Sequence, residues 1–166
     1  MPARPVVLLP DKVLSRPAAP VDEVDAAARG VAGDLLDTMR AANHSVGIAA
    51  PQIGVSLAVF VVDVSGHTKA RACHGEVVLF NPEVVSASRW DVGREGCMSV
   101  PDLTGDVKRA KRVVVRGLDM SGNERVIETD AFEARAMQHE IDHLHGRLFL
   151  DRVVSADRIF RRKVYR

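Results

Sequence analysis

Residues 138–146 read QHEIDHLHG, with two histidines four apart and a glutamate beside the first. On an α-helix, residues four apart share a face, with Cβ atoms roughly 6 Å from each other. His139 and His143 can therefore aim both imidazoles at one ion. Glu140 lies about 100° round from His139 at ~3.6 residues per turn. It flanks such an ion without binding it, where a base for an activated water belongs. His145 lies roughly 200° from His143 and reads as an exposed or capping residue near the helix end. The flanking pattern limits the fold that can surround this helix. Phe132, Ala136, His139, Glu140 and His143 form one stripe at 3–4 spacing, beside an apolar stripe of Met137, Ile141, Leu144 and Leu148. The histidines thus border a buried face, where imidazoles need partners and a carboxylate is costly without a cation. A polar helix face with no metal would leave both demands unmet.

A catalytic metal site needs a third protein ligand and one open position. The chain after His143 offers His145, which the helical angle excludes, and Asp151 and Asp157, which are poorly placed. Upstream, Cys97 stands in EGCMS with Gly96 beside it, and glycine lets backbone approach an ion closely. A thiolate is a strong ligand for zinc or ferrous iron. A lone cysteine is ordinarily a buried, inert thiol; the unfinished ligand set makes Cys97 a candidate instead. A disulfide between Cys73 and Cys97 would remove that ligand, and a reducing compartment disfavours one.

The spacing of Val24, Ala27, Ala28, Val31, Leu35 and Met39 predicts a helix over 21–42. The β-branched run 57–64 predicts a buried strand, followed by a polar connection over 65–75. VVLFNPEVV at 77–85 suggests a strand broken at Asn81-Pro82, and 89–101 reads as irregular. Strands over 112–118 and 124–128 flank a turn. The second helix starts near Asp130, with Asp130 and Glu133 at capping-box spacing, and Gly146 is placed to end it. A short basic helix is expected over 155–166. Without βαβ alternation, this order argues for an α+β fold. Its strands are mostly antiparallel and packed around a central helix that carries HEIDH.

At 166 residues, 46% hydrophobic and 27% charged, the chain suits a single catalytic domain over 1–166. A formal net charge of +1 argues against a protein that coats DNA. No apolar run nears the ~20 residues that span a bilayer, and VVLL is too short for a signal segment. A cytoplasmic protein with no membrane partner is expected.

Three motifs stand in order: SVGIAAPQ at 45–52, EGCMS at 95–99 and QHEIDH at 138–143. Together they resemble the bacterial peptide deformylases, and the flanks LPDKVLSRPA, FNPEVV and GRLFLDR extend the likeness over nearly the whole chain. The resemblance implies a hydrolase that removes the formyl group from the N-terminal formyl-methionine of nascent chains, releasing formate. It matches Cys97, His139 and His143 to metal ligands and Glu140 to the acid/base. It assigns oxyanion stabilisation to the Gln52 side chain and the Met98 backbone N–H. The implied cofactor is one divalent ion, Fe²⁺ in the cell, with Zn²⁺ or Ni²⁺ able to replace it in a purified sample.

The candidate substrate-binding residues are Val46, Gly47, Ile48, Gly96, Phe132 and Arg135. Gly47 lies where the family's backbone meets substrate. Plain core packing competes for Val46, Ile48 and Phe132, and is slightly favoured for Ile48. Arg135 replaces an aliphatic residue common in the family; its stem either lines the pocket mouth or lies on a solvated surface. Ser45 replaces a motif glycine, and costs on the order of 1 kcal/mol if that position needs a left-handed backbone. Asp142 is either a positioning group, paired with Arg109, or an exposed carboxylate. The segment 158–166, with five positive charges and no acid, is either a solvated end or a contact to ribosomal RNA. A peptidase of the HExxH type and a metal-free binding module are the competing readings. The upstream EGC argues against the first, and the complete set of chemical residues against the second.

Overall fold

In the computed structural model, which describes residues 3–162, Val59–Val62 forms strand β2 with all four residues buried. Side chains alternate between the two faces of a strand, so both faces here must be covered. Phe60 and Val62 join a core with Val113, Val115, Ile127, Met137 and Ile141. Val59 and Val61 join another with Ala32, Leu35, Met39 and Phe80. Helix α1 (Ala26–Ala41) covers the second face and helix α2 (Ala131–Leu144) the first. Strands β1 (Gly47–Ala49), β2, β3 (Val77–Cys97), β4 (Val100–Leu118) and β5 (Glu124–Asp130) lie in that order. Strand β6 (Ile159–Arg161) pairs with β4, and every strand pairing in the sheet is antiparallel. The architecture is the expected α+β. Among the described residues, no helix is long and apolar enough to cross a membrane.

Several boundaries differ from expectation. Helix α1 begins at Ala26 because the Asp25 carboxylate accepts the Ala28 N–H at 2.8 Å and caps the helix there. Val21 and Val24 are still buried, but ahead of the helix. Asn81 holds that chain, exchanging two 2.7 Å hydrogen bonds with the Val21 backbone. Asn81-Pro82 does not end β3; a register shift between Phe80 and Glu83 absorbs it. Nor is 89–101 irregular. It forms the closed end of a long hairpin between β3 and β4, paired through Cys97↔Val100, so β4 starts at Val100 rather than near 112. Trp90 and Val92 stand on the open face, 58% and 47% exposed. Polarity there does not follow burial, and Gly93, Gly96 and Pro101 mask the short strand signal of Trp90 and Val92.

The two ends of the helical motif also depart from local signals. The Asp130 side chain makes no capping bond. Glu133 turns inward instead, accepting the Thr129 hydroxyl at 2.7 Å and the His74 N–H at 2.8 Å. The segment 155–166 is not a helix. A single 3-10 turn, Ala156–Arg158, leads into β6, because residues 103–105 of β4 offer it an edge. Residues 163–166 lie outside the described part. Gly146 does end α2, at φ 75. A Cβ there would sit 2.8 Å from the Ser15 carbonyl carbon and oxygen.

Gly146→Ala should therefore destabilise the protein by about 2–4 kcal/mol, from left-handed backbone cost and displacement of Ser15. Urea unfolding measures this; an unchanged midpoint would show that the 15–16 backbone yields freely.

Candidate metal centre and its cleft

Helix α2 presents His139 and His143 with ring centroids 5.0 Å apart. Cys97, the last residue of β3, places Sγ 3.4 Å from His143 Nε2. One ligand atom from each of Cys97, His139 and His143 lies within 4.8 Å of the others. Tetrahedral zinc, with bonds of ~2.0–2.3 Å, keeps its ligand atoms roughly 3.3–3.6 Å apart. The pocket thus needs little contraction to hold an ion, and a thiolate with two imidazoles suits zinc or ferrous iron. Glu140 Oε1 stands 3.9 Å from His139 Nε2. Two buried side-chain atoms lack a hydrogen-bond partner among the described residues, Glu140 Oε2 and His143 Nδ1. Both belong to this cluster, whose polar groups the protein alone leaves incompletely satisfied.

Glu95, which sequence reasoning left without a role, organises the surroundings. It lies two residues before Cys97 on a strand, hence on the same face. One strand therefore supplies a ligand and the anion that orients another. His139 Nδ1 lies 2.9 Å from Glu95 Oε1. Arg109 donates to Glu95 through Nε at 2.9 Å and Nη2 at 3.0 Å, and Arg135 Nη1 donates at 2.7 Å. A carboxylate on one imidazole nitrogen fixes the ring and leaves the other nitrogen for a metal. Arg109 Nη1 also donates to Asp142 Oδ2 at 2.5 Å, and Arg152 reaches both Asp142 oxygens at 3.0 Å. Asp142 is a buried positioning group, not an exposed carboxylate.

This packing sets the charges. Burial alone would raise the Glu95 carboxyl, but bonds from His139 and Arg109 hold it well below the usual carboxylate range. Burial likewise opposes a charged His139, yet its contacts with Cys97 and Glu95 carry it well above the ordinary value. Burial pushes His143 well down, with His139 and Arg109 adding to the effect. Burial pushes Glu140 up to about 7; His139 opposes this and Glu95 reinforces it. Burial therefore makes Glu140 a better proton acceptor than an exposed carboxylate, as suits a group that must both take and return a proton.

The cluster opens on a cavity of about 310 Å³. Val46, Gly47, Gln52, Gly96, Met98, Phe132 and Arg135 line it, as do Cys97, His139 and Glu140. His143 lies deeper, 1% exposed. Ile48 does not line the cavity: its side chain alternates away from Gly47 into the core under α1. A Cβ on Gly47 would lie 3.1 Å from Glu140 Cγ and Oε1, so glycine lets β1 backbone rest against the carboxylate. Gln52 donates through Nε2 to Cys97 Sγ at 3.4 Å and Ser99 Oγ at 3.2 Å, while Oε1 accepts the Ala49 N–H at 3.0 Å.

Arg135 is not a solvated surface residue. Besides Glu95, it donates to the Val107 and Asp91 carbonyls at 3.0 and 3.2 Å. The left-handed backbone of this region falls on His44, at φ 66, and not on Ser45. The anticipated strain at Ser45 is therefore absent. Both cysteines are free thiols, and His145 is exposed. His67, stacked 4.3 Å from Phe132, and Arg162 also line the cavity. They went unnoticed because no local pattern ties a loop and a C-terminal segment to a site.

The Polypeptide deformylase family model matches residues 3–158. A peptide deformylase from Bartonella tribocorum is 41% identical over 165 residues, 98% of this chain and 92% of its own. Peptide deformylase 1 of Vibrio vulnificus is 44% identical over 146 residues, 88% of this chain and 83% of its own. Among solved structures, peptide deformylase from Ehrlichia chaffeensis in complex with actinonin superposes with a TM-score of 0.87 at 36% identity, covering 95% of this chain and 92% of that one. The class I type b enzyme of Acinetobacter baumannii with Met-Ala-Ser bound gives 0.84 at 35% identity, covering 92% and 100%. Likeness this extensive, over the same residues that build the cleft, means that the chain belongs to the polypeptide deformylase family.

Proposed function

We propose that this chain is a metal-dependent hydrolase that removes the formyl group from the N-terminal formyl-methionine of newly made proteins. The observation that carries the reading is the meeting of Cys97 with both imidazoles of HEIDH, ligand atoms within 4.8 Å, beside Glu140. The Met-Ala-Ser held by the Acinetobacter baumannii relative has the form of a deformylated product. The match over 3–158 supports one catalytic domain spanning 1–166. A cytoplasmic site of action follows from the proposed substrate, the nascent chain itself.

Cys97, His139 and His143 would hold one divalent ion, Fe²⁺ in the cell, with Zn²⁺ or Ni²⁺ able to take its place. That ion supplies Lewis acidity, lowering the pKa of a water toward ~7 and polarising the formyl oxygen. Glu140 takes the proton as the water oxygen bonds to the formyl carbon. The Gln52 amide and the Met98 N–H donate to the oxyanion, each worth ~3 kcal/mol in such sites. As the carbon–nitrogen bond breaks, Glu140 returns the proton to the leaving amine, and formate and free methionyl peptide depart. Val46, Phe132 and the Arg135 stem form the methionine wall, and the Gly47 and Gly96 backbones border the peptide. Ile48 supports β1 from behind.

Glu140→Gln should lower kcat for formate release from formyl-Met-Ala by about 10²–10⁴-fold while keeping stoichiometric metal. Chelation should abolish turnover and anaerobic Fe²⁺ restore it. Cleavage of unblocked peptides without formate release would point to an ordinary peptidase, and no formate with Fe²⁺ to a binding module. Glu95→Gln should weaken metal affinity about 10–100-fold, read by competition with a chromogenic chelator; unaltered affinity would remove Glu95 from the site's support.

A contact between the basic C-terminal segment and ribosomal RNA is a second reading, motivated by the five cations of 158–166. Arg161→Glu with Lys163→Glu should reduce co-sedimentation with ribosomes most at low salt. Binding that persists unchanged would end that reading.

A further inference from the structure

A second cavity, of about 470 Å³, adjoins the first and has a strongly basic wall. Lys69 and Arg71 from the loop before β3, Arg89 and Arg94 from β3, Lys111 and Arg112 from β4, and Arg135 from α2 line it, against Asp91 and Asp130. The whole chain carries a formal net charge of only +1, so positive charge is concentrated here. Arg94 and Arg135 are engaged by Asp106 and Glu95. The other five cations make no salt bridge with another described residue. Like charges gathered around a concavity focus a field outward and favour an anionic occupant.

The position of the cavity indicates which anion. Lys69, Arg94, Phe132 and Arg135 line both cavities, so the basic wall begins where the metal cleft ends. With the methionine side chain against Phe132 and the Arg135 stem, a peptide that borders Gly96 and runs on beside β3 toward Arg94, at ~3.3–3.6 Å per residue, would reach the basic wall within a few residues. We propose that this basic cavity receives acidic side chains of the substrate itself, so that the enzyme favours formylated chains with Asp or Glu soon after methionine. The proposal rests on the deformylase reading. A concave pocket sharing a wall with the cleft fits a short peptide segment better than a nucleic acid strand.

The test compares formate release from formyl-Met-Ala-Glu-Asp-Glu, formyl-Met-Ala-Ser-Ala-Ala and formyl-Met-Ala by Fe²⁺-loaded enzyme at low and high salt. The acidic peptide should show a kcat/KM about tenfold higher than the neutral one, through KM, with the advantage shrinking as salt rises. Arg71→Gln with Lys111→Gln should bring the two peptides near parity, and Arg71→Glu with Lys111→Glu should reverse the preference. Neither pair touches the metal cleft, so both should leave formyl-Met-Ala turnover unchanged. Equal kcat/KM for wild type at low salt, with formyl-Met-Ala still cleaved, overturns the proposal alone. So does inhibition by an RNA oligonucleotide that depends on Arg71 and Lys111 without any acidic-peptide preference. Failure to cleave formyl-Met-Ala at all overturns the deformylase reading, and this proposal with it.

Discussion

A buried carboxylate, Glu95, joins three elements at one point: β3 that carries it, β4 through Arg109, and α2 through Arg135 and His139. Burying so many charges is costly, and a well-packed apolar substitute is often as stable. What the network provides is position. It fixes the His139 ring, keeps β3 in register with α2, and thereby sets Cys97 opposite His143. Asp142, between Arg109 and Arg152, extends the same clamp along the helix.

The chemistry was more legible in the sequence than the scaffold. His139, Glu140 and His143 follow from helical geometry, because their relation is set within two turns. Cys97 could be inferred because the ligand set was short by one. The hairpin of β3 and β4 was hidden because its stability comes from cross-strand pairing, while Gly93, Gly96 and Pro101 interrupt the short strand signal of Trp90 and Val92. The same holds for β6: Ile159 and Phe160 become strand only because β4 has an open edge. Glu95 was visible as a motif letter, yet its role required knowing that Arg109 and Arg135 converge on it from distant positions.

Layering explains why the site is both enclosed and reachable. The β2 strand buries both faces, so α1 and α2 are held on opposite sides of the sheet. Helix α2 then turns its polar stripe toward the end of β3 and the β1 backbone. Gly47 allows that backbone to lie against Glu140, leaving the carboxylate buried and shifted to about 7. The cleft remains open toward the loop before β3 and the C-terminal segment, whose cations give its mouth a positive rim.

An upstream thiolate, Cys97, closes a ligand set that begins on helix α2. X-ray absorption of the zinc-loaded protein reads that coordination shell directly. The geometry predicts one sulfur at ~2.3 Å and two imidazole nitrogens at ~2.0–2.1 Å, with the sulfur lost in Cys97→Ala. A shell of nitrogen and oxygen alone in the native protein would contradict it, since the third ligand would then be a carboxylate and not Cys97.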